Sequence, residues 1–138
     1  MTIIVCISDN GGMLFNKRRQ SKDKELIKDL VRLVEEKDGI LFVSEYSERL
    51  FSESEGSVIS VSNPPEAASE GDFAFVESGG LSEYKSKINT LILYKWNRDY
   101  PADVFLDLTP QDEGMTLVET TDFEGSSHER ITREIWQR

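Results

Sequence analysis

The chain has 138 residues, 38% apolar and 9% aromatic, enough to bury one core as one domain, and its formal net charge is -10. A field of that sign repels phosphate, which argues against general attraction to nucleic acid or to an anionic membrane. No apolar stretch approaches the roughly 20 residues that cross a bilayer, and no charged start leads into an apolar core with a small-residue cleavage site, so a cytoplasmic protein without membrane attachment is expected.

In chain order, Ile3-Ile4-Val5-Cys6-Ile7 reads as a buried strand. Cys6 is the single cysteine; it cannot form an intramolecular disulfide and behaves as a small hydrophobe. A loop from Gly11 to Ser21 follows and carries the most basic run, Lys17-Arg18-Arg19. The first helix is marked by Ser21 as its cap, Asp23 and Glu25 in the first turn, and Leu26, Ile27, Leu30, Val31, Leu33 and Val34 at helical spacing, with Gly39 ending it. Four short apolar runs follow, 40–43, 58–61, 73–76 and 91–94, each suited to a strand covered on both faces. Pro64-Pro65 breaks the chain before a short helix over 66–70. After Gly114, Met115 and Leu117 answer Ile131 and Ile135 as a hairpin whose loop is Glu124-Gly125-Ser126-Ser127. The fold class expected is α/β: a doubly wound, mostly parallel sheet with a C-terminal antiparallel hairpin, in a single domain spanning 1–138.

The residues alone offer few sites. Arg18 and Arg19 stand before a helix start, where guanidinium groups and backbone amides favour a phosphate or carboxylate; a merely solvated run is the other reading. His128 is the only histidine, too few for a zinc site, so no metal is expected and His128 reads as a surface side chain. No Gly-x-Ser-x-Gly elbow, Cys-His spacing or phosphate loop marks a nucleophile or general-base set. Glu35-Glu36 and Asp112-Glu113 are adjacent pairs that point apart as solvated charges. Trp96, Tyr100 and Phe105 follow a strand and suit either a cleft wall or corner packing.

Gly79-Gly80-Leu81-Ser82-Glu83-Tyr84, the run around Leu91 to Leu93, and Asp99-Tyr100-Pro101-Ala102-Asp103-Val104-Phe105-Leu106 keep the order of the second half of dihydrofolate reductase, and the chain resembles that family over most of its length. The resemblance implies the reductase fold, with a carboxylate in the first helix, here Asp23 or Glu25, holding the pterin ring. It also implies Ser47 and Ser62 beside the cofactor, and Gly79 and Gly80 where the backbone approaches pyrophosphate and nicotinamide. The chain departs from the pattern at four places. Arg19-Gln20-Ser21 replaces the Leu-Pro-Trp segment. Ser44-Glu45-Tyr46-Ser47 replaces a basic segment that meets the NADPH phosphate, and Glu45 turns attraction into repulsion. Val104 and Asp107 replace a Thr and a Pro.

The function that follows is binding of a small molecule, for instance an anion near Arg18 and Arg19, without folate reductase activity. The alternative is a divergent NAD(P)H-dependent reductase, with NADPH as a possible cofactor. A third reading, RNA binding or cleavage through the basic run, ranks last on charge. The opening segment through Asp23 is also similar to short bacterial proteins sometimes labelled ribonuclease Z, whose HxHxDH metal segment this chain lacks.

Overall fold

The computed structural model describes residues 1–54, 57–78 and 80–138. Among them a seven-stranded sheet runs in the order β5-β4-β6-β1-β7-β10-β9. Its strands are β1 (Thr2–Ile7), β4 (Leu41–Val43), β5 (Val58–Ser60), β6 (Phe73–Phe75), β7 (Thr90–Lys95), β9 (Thr116–Phe123) and β10 (Ile131–Gln137). β5, β4, β6, β1 and β7 pair in parallel, and β10 is antiparallel to both β7 and β9. The mostly parallel sheet with a terminal antiparallel hairpin is therefore the architecture observed.

Parallel strands are buried on both faces because their crossovers cover both, and β1 divides accordingly. Ile4 joins one apolar cluster with Leu26, Leu30 and Val34 of helix α1 (Lys24–Glu36). Ile3, Val5 and Ile7 join the other, with Ala68, Leu81 and Ile88 after α2 (Pro64–Ala67). The buried positions of α1 recur every four residues, one stripe of its surface. β5 differs from the sequence expectation: it is the outer strand, and Ile59 is 44% exposed. An edge strand has a neighbour on one side only, so its apolar pattern overstates its burial.

The segment 11–21, expected as a loop, is instead largely a hairpin. β2 (Gly12–Phe15) and β3 (Arg18–Arg19) form a small antiparallel sheet with β8 (Val104–Phe105). The turn between them is two residues long, and Asn16 and Lys17 both take positive φ, 54° and 62°, the twist that suits a tight hairpin. Asp103 fixes it by accepting the Asn16 N–H at 3.0 Å.

The short helix expected over 66–70 starts earlier, at Pro64–Ala67, because proline suits a helix's first turn, and further local expectations change. The helix cap is Asp23, not Ser21: its carboxylate accepts the N–H groups of Glu25 and Leu26. The left-handed residue ending α1 is Asp38 (φ 49°), with Asp38 and Gly39 N–H groups returning to Glu35 and Val34 carbonyls. The element after Gly80 is a 3₁₀ helix over Leu81–Lys87, and Asp107 accepts the N–H groups of Leu81 and Ser82 at its start.

Candidate functional site

From β1 the chain crosses through α1 to β4 on one side, and from β6 it crosses to β7 on the other side of β1. The crossovers diverge between β6 and β1, and at such a point the carboxyl ends of the strands leave a crevice. Beyond the carboxyl ends of β4, β5 and β6 lies a cleft of about 710 Å³, within the range that takes a drug-sized molecule. Lys17, Tyr46, Ser62, Glu77, Gly80, Glu83, Tyr84 and Asp103 are among its lining residues.

Glu77, which follows β6, carries the cleft floor. Its carboxylate accepts Arg19 Nε at 2.8 Å, Arg19 Nη2 at 2.9 Å and Ser47 Oγ at 2.6 Å. The Arg19 guanidinium also lies 4.4 Å from the Tyr46 ring centre, a cation–π contact. The bond to Glu77 chiefly holds the Arg19 pKa above its ordinary value. Arg19 is thus committed to an internal carboxylate, and Ser47 is fully buried and turned to the same group. Arg18 lines a second cleft of about 660 Å³ with Phe15, Tyr100 and Pro101, and Arg19 borders it too. Ser62 and Gly80 do line the main cleft. At Gly80 a Cβ would meet nothing within 4 Å, so glycine there answers its φ of 94° rather than a close approach. Gly79 lies outside the described residues.

Beside the ion pair, Cys6, Met13, Ser21, Asp23, Leu26, Ile27 and Trp96 help enclose a hole of about 20 Å³, room for one water. Cys6 is half-buried in the structure and lines this hole; burial pushes its thiol well up, so it stays protonated. Glu25 does not line the hole; it is half-exposed and reaches Lys28 at 3.5 Å.

Asp23 does line it, but its carboxylate is fully occupied. Besides capping α1, it accepts the N–H groups of Ser126 at 2.9 Å and Ser127 at 2.8 Å, and lies 3.0 Å from His128 Nδ1. Burial opposes its charge, but these backbone donors and His128 outweigh that and hold the carboxyl far below the usual range. His128 is not at the surface: its side chain is 2% exposed and stacks on Trp96 at 4.6 Å. With the proton on Nδ1 facing the ionised Asp23, Nε2 offers a single lone pair, which Tyr100 Oη–H at 3.0 Å and Ser21 Oγ–H at 3.2 Å share. A hydroxyl, an imidazole and a carboxylate therefore meet, with Ser21 and His128 107 residues apart in the chain. The sequence signal was slight: one histidine amid hydroxyl residues in a hairpin loop.

Among the described residues no group of three or more His, Cys, Asp and Glu side chains is placed to hold a metal ion, and no helix is long and apolar enough to cross a membrane. No family model matches the sequence, and no curated protein matches it. Among solved structures the chain is similar to dihydrofolate reductase from Enterococcus faecalis complexed with NADP(H) and RAB-propyl, with a TM-score of 0.63 and 11% identity over 99% of this chain and 95% of that one. At that identity the likeness speaks for the fold, and the chain has a dihydrofolate-reductase-like fold.

Proposed function

We propose that the chain binds a small molecule in the 710 Å³ cleft and does not reduce folate. The carrying observation is the Arg19–Glu77 pair, which commits Arg19 to a carboxylate of the cleft lining. The remaining charged lining residues are Lys17, Glu83 and Asp103, an acidic balance that repels a dinucleotide's phosphates. Tyr46 and Tyr84 add aromatic surface, so a neutral or cationic planar ligand suits the cleft better than an anion. The water-sized hole beside α1 leaves no room for a pterin. The fold neighbour was solved with NADP(H), and Ser62 and Gly80 line this cleft. Those two observations favour a second reading, a divergent reductase with a nicotinamide cofactor there.

Titration with NADPH and NADH, followed by energy transfer from Trp96 and Trp136 and by thermal stabilisation, separates the two. Absence of binding at millimolar cofactor, with stabilisation by planar amines but not by matched carboxylates, is the expected result. Saturable micromolar cofactor binding replaces it with the reductase reading.

A further inference from the structure

We propose that Ser21, His128 and Asp23 form a nucleophilic site that acylates on Ser21 and hydrolyses small esters, a reading independent of the ligand cleft. The order of contacts is that of a serine hydrolase relay, which is recognised by geometry and role rather than by sequence position. Asp23 Oδ2 holds Nδ1–H at 3.0 Å and fixes the tautomer, and Nε2 faces Ser21 Oγ at 3.2 Å. Asp23 is itself fixed by two backbone N–H groups of the hairpin loop, so the relay is rigid before any substrate arrives.

The reacting end is reachable. Ser21 is partly exposed, and Tyr100, whose hydroxyl shares Nε2 with Ser21, stands on the wall of the 660 Å³ cleft with Gln20 and Pro101. A carbonyl presented from that cleft meets Tyr100 on its wall, and Ser21 adjoins the wall through its neighbour Gln20. Ser21 Oγ attacks the carbonyl carbon as Nε2 takes its proton. Tyr100 Oη turns to donate to the developing oxyanion. The C–O bond to the alcohol breaks, and Nε2–H protonates the leaving oxygen. Water then attacks the acyl-Ser21, gives its proton to Nε2, and releases the acid as Ser21 Oγ recovers a proton. The net reaction is ester plus water to acid plus alcohol. Asp23 acts only through His128 and is a positioning residue. Arg18 on the same cleft favours esters with an anionic substituent.

The test treats the full chain with diisopropyl fluorophosphate and with p-nitrophenyl acetate, and maps the adduct by mass spectrometry. The proposal expects one label, on Ser21, absent in Ser21→Ala, whose thermal unfolding stays near that of the parent. It also expects a labelling rate that rises as the imidazole loses its proton, and a loss of about 100-fold in rate for His128→Gln, the scale of a general base. Because His128 is buried and that variant risks misfolding, the pH profile of the unmodified protein stands as the second measurement. No adduct on Ser21 under excess reagent, or an adduct rate indifferent to pH, overturns the proposal and leaves the cluster as a packing latch.

Discussion

His128 and Asp23 are 105 residues apart in the chain and 3.0 Å apart in the fold, both with side chains almost wholly sealed from solvent. The contact joins the start of α1 to the loop between β9 and β10, and so ties the N-terminal crossover to the C-terminal hairpin.

Asp23→Ala removes a helix cap and leaves Ser126 and Ser127 N–H groups without their acceptor. The expected cost is about 2 kcal/mol, about 1 for the cap and about 1 for the lost charge-assisted bonds to the partly buried loop. Urea unfolding of the variant measures it.

The same carboxyl gives a pH dependence whose sign follows from its depressed pKa. Its contribution is complete above the unfolded value of about 3.9 and is lost as pH falls towards the folded one. Stability therefore falls with acid below about pH 4 in the parent chain. Asp23→Asn has nothing to titrate there and shows a flatter profile by denaturant unfolding at stepped pH.

Gly125 lies against the Asp23 carboxylate and Ile131: a Cβ there would overlap Asp23 Oδ2 and stand 2.9 Å from Ile131 Cδ1. Gly125→Ala is expected to destabilise by about 2 kcal/mol, as overpacking does. A melting temperature equal to the parent's would show that the loop moves aside freely.

Glu77→Gln frees the Arg19 guanidinium into the cleft region. Pyrophosphate affinity is expected to rise by about tenfold, the effect of one recovered charge-assisted hydrogen bond. Calorimetric titration reads it, and an unchanged affinity would show that Arg19 does not reach the ligand.

Behind α1, Asp29 accepts Tyr94 Oη at 2.6 Å and Arg133 Nη1 at 2.7 and 2.8 Å, while Arg133 also pairs with Glu119. Burial, then the charge of Asp29, pushes the Tyr94 phenol far above its ordinary value. Asp29→Ala leaves the Arg133 guanidinium buried without its main partner and is expected to cost about 3 kcal/mol. In an absorbance titration, wild type and Tyr94→Phe should differ by no phenolate at about pH 10, where a free tyrosine ionises.

The apolar periodicity of the chain determined its architecture. Leu26, Leu30 and Val34 share one helical stripe, and the alternating Ile3, Ile4 and Val5 supply both faces of a central strand. Those signals are local, because the periods of helix and strand act within a few residues. The β2–β3 hairpin was hidden because its turn is Asn16-Lys17, without the glycine that usually marks one. The candidate sites were hidden for a different reason. Arg19 reads as a free cation until Glu77, 58 positions on, takes its guanidinium. His128 reads as a surface residue until Trp96, Tyr100, Ser21 and Asp23 close around it. The sequence by itself determined which faces are apolar and hence the layered sheet. Which charges are paired, and which hydroxyl meets which base, only the tertiary structure decided, because a charge or hydrogen bond depends on partners that the chain brings together from distant positions.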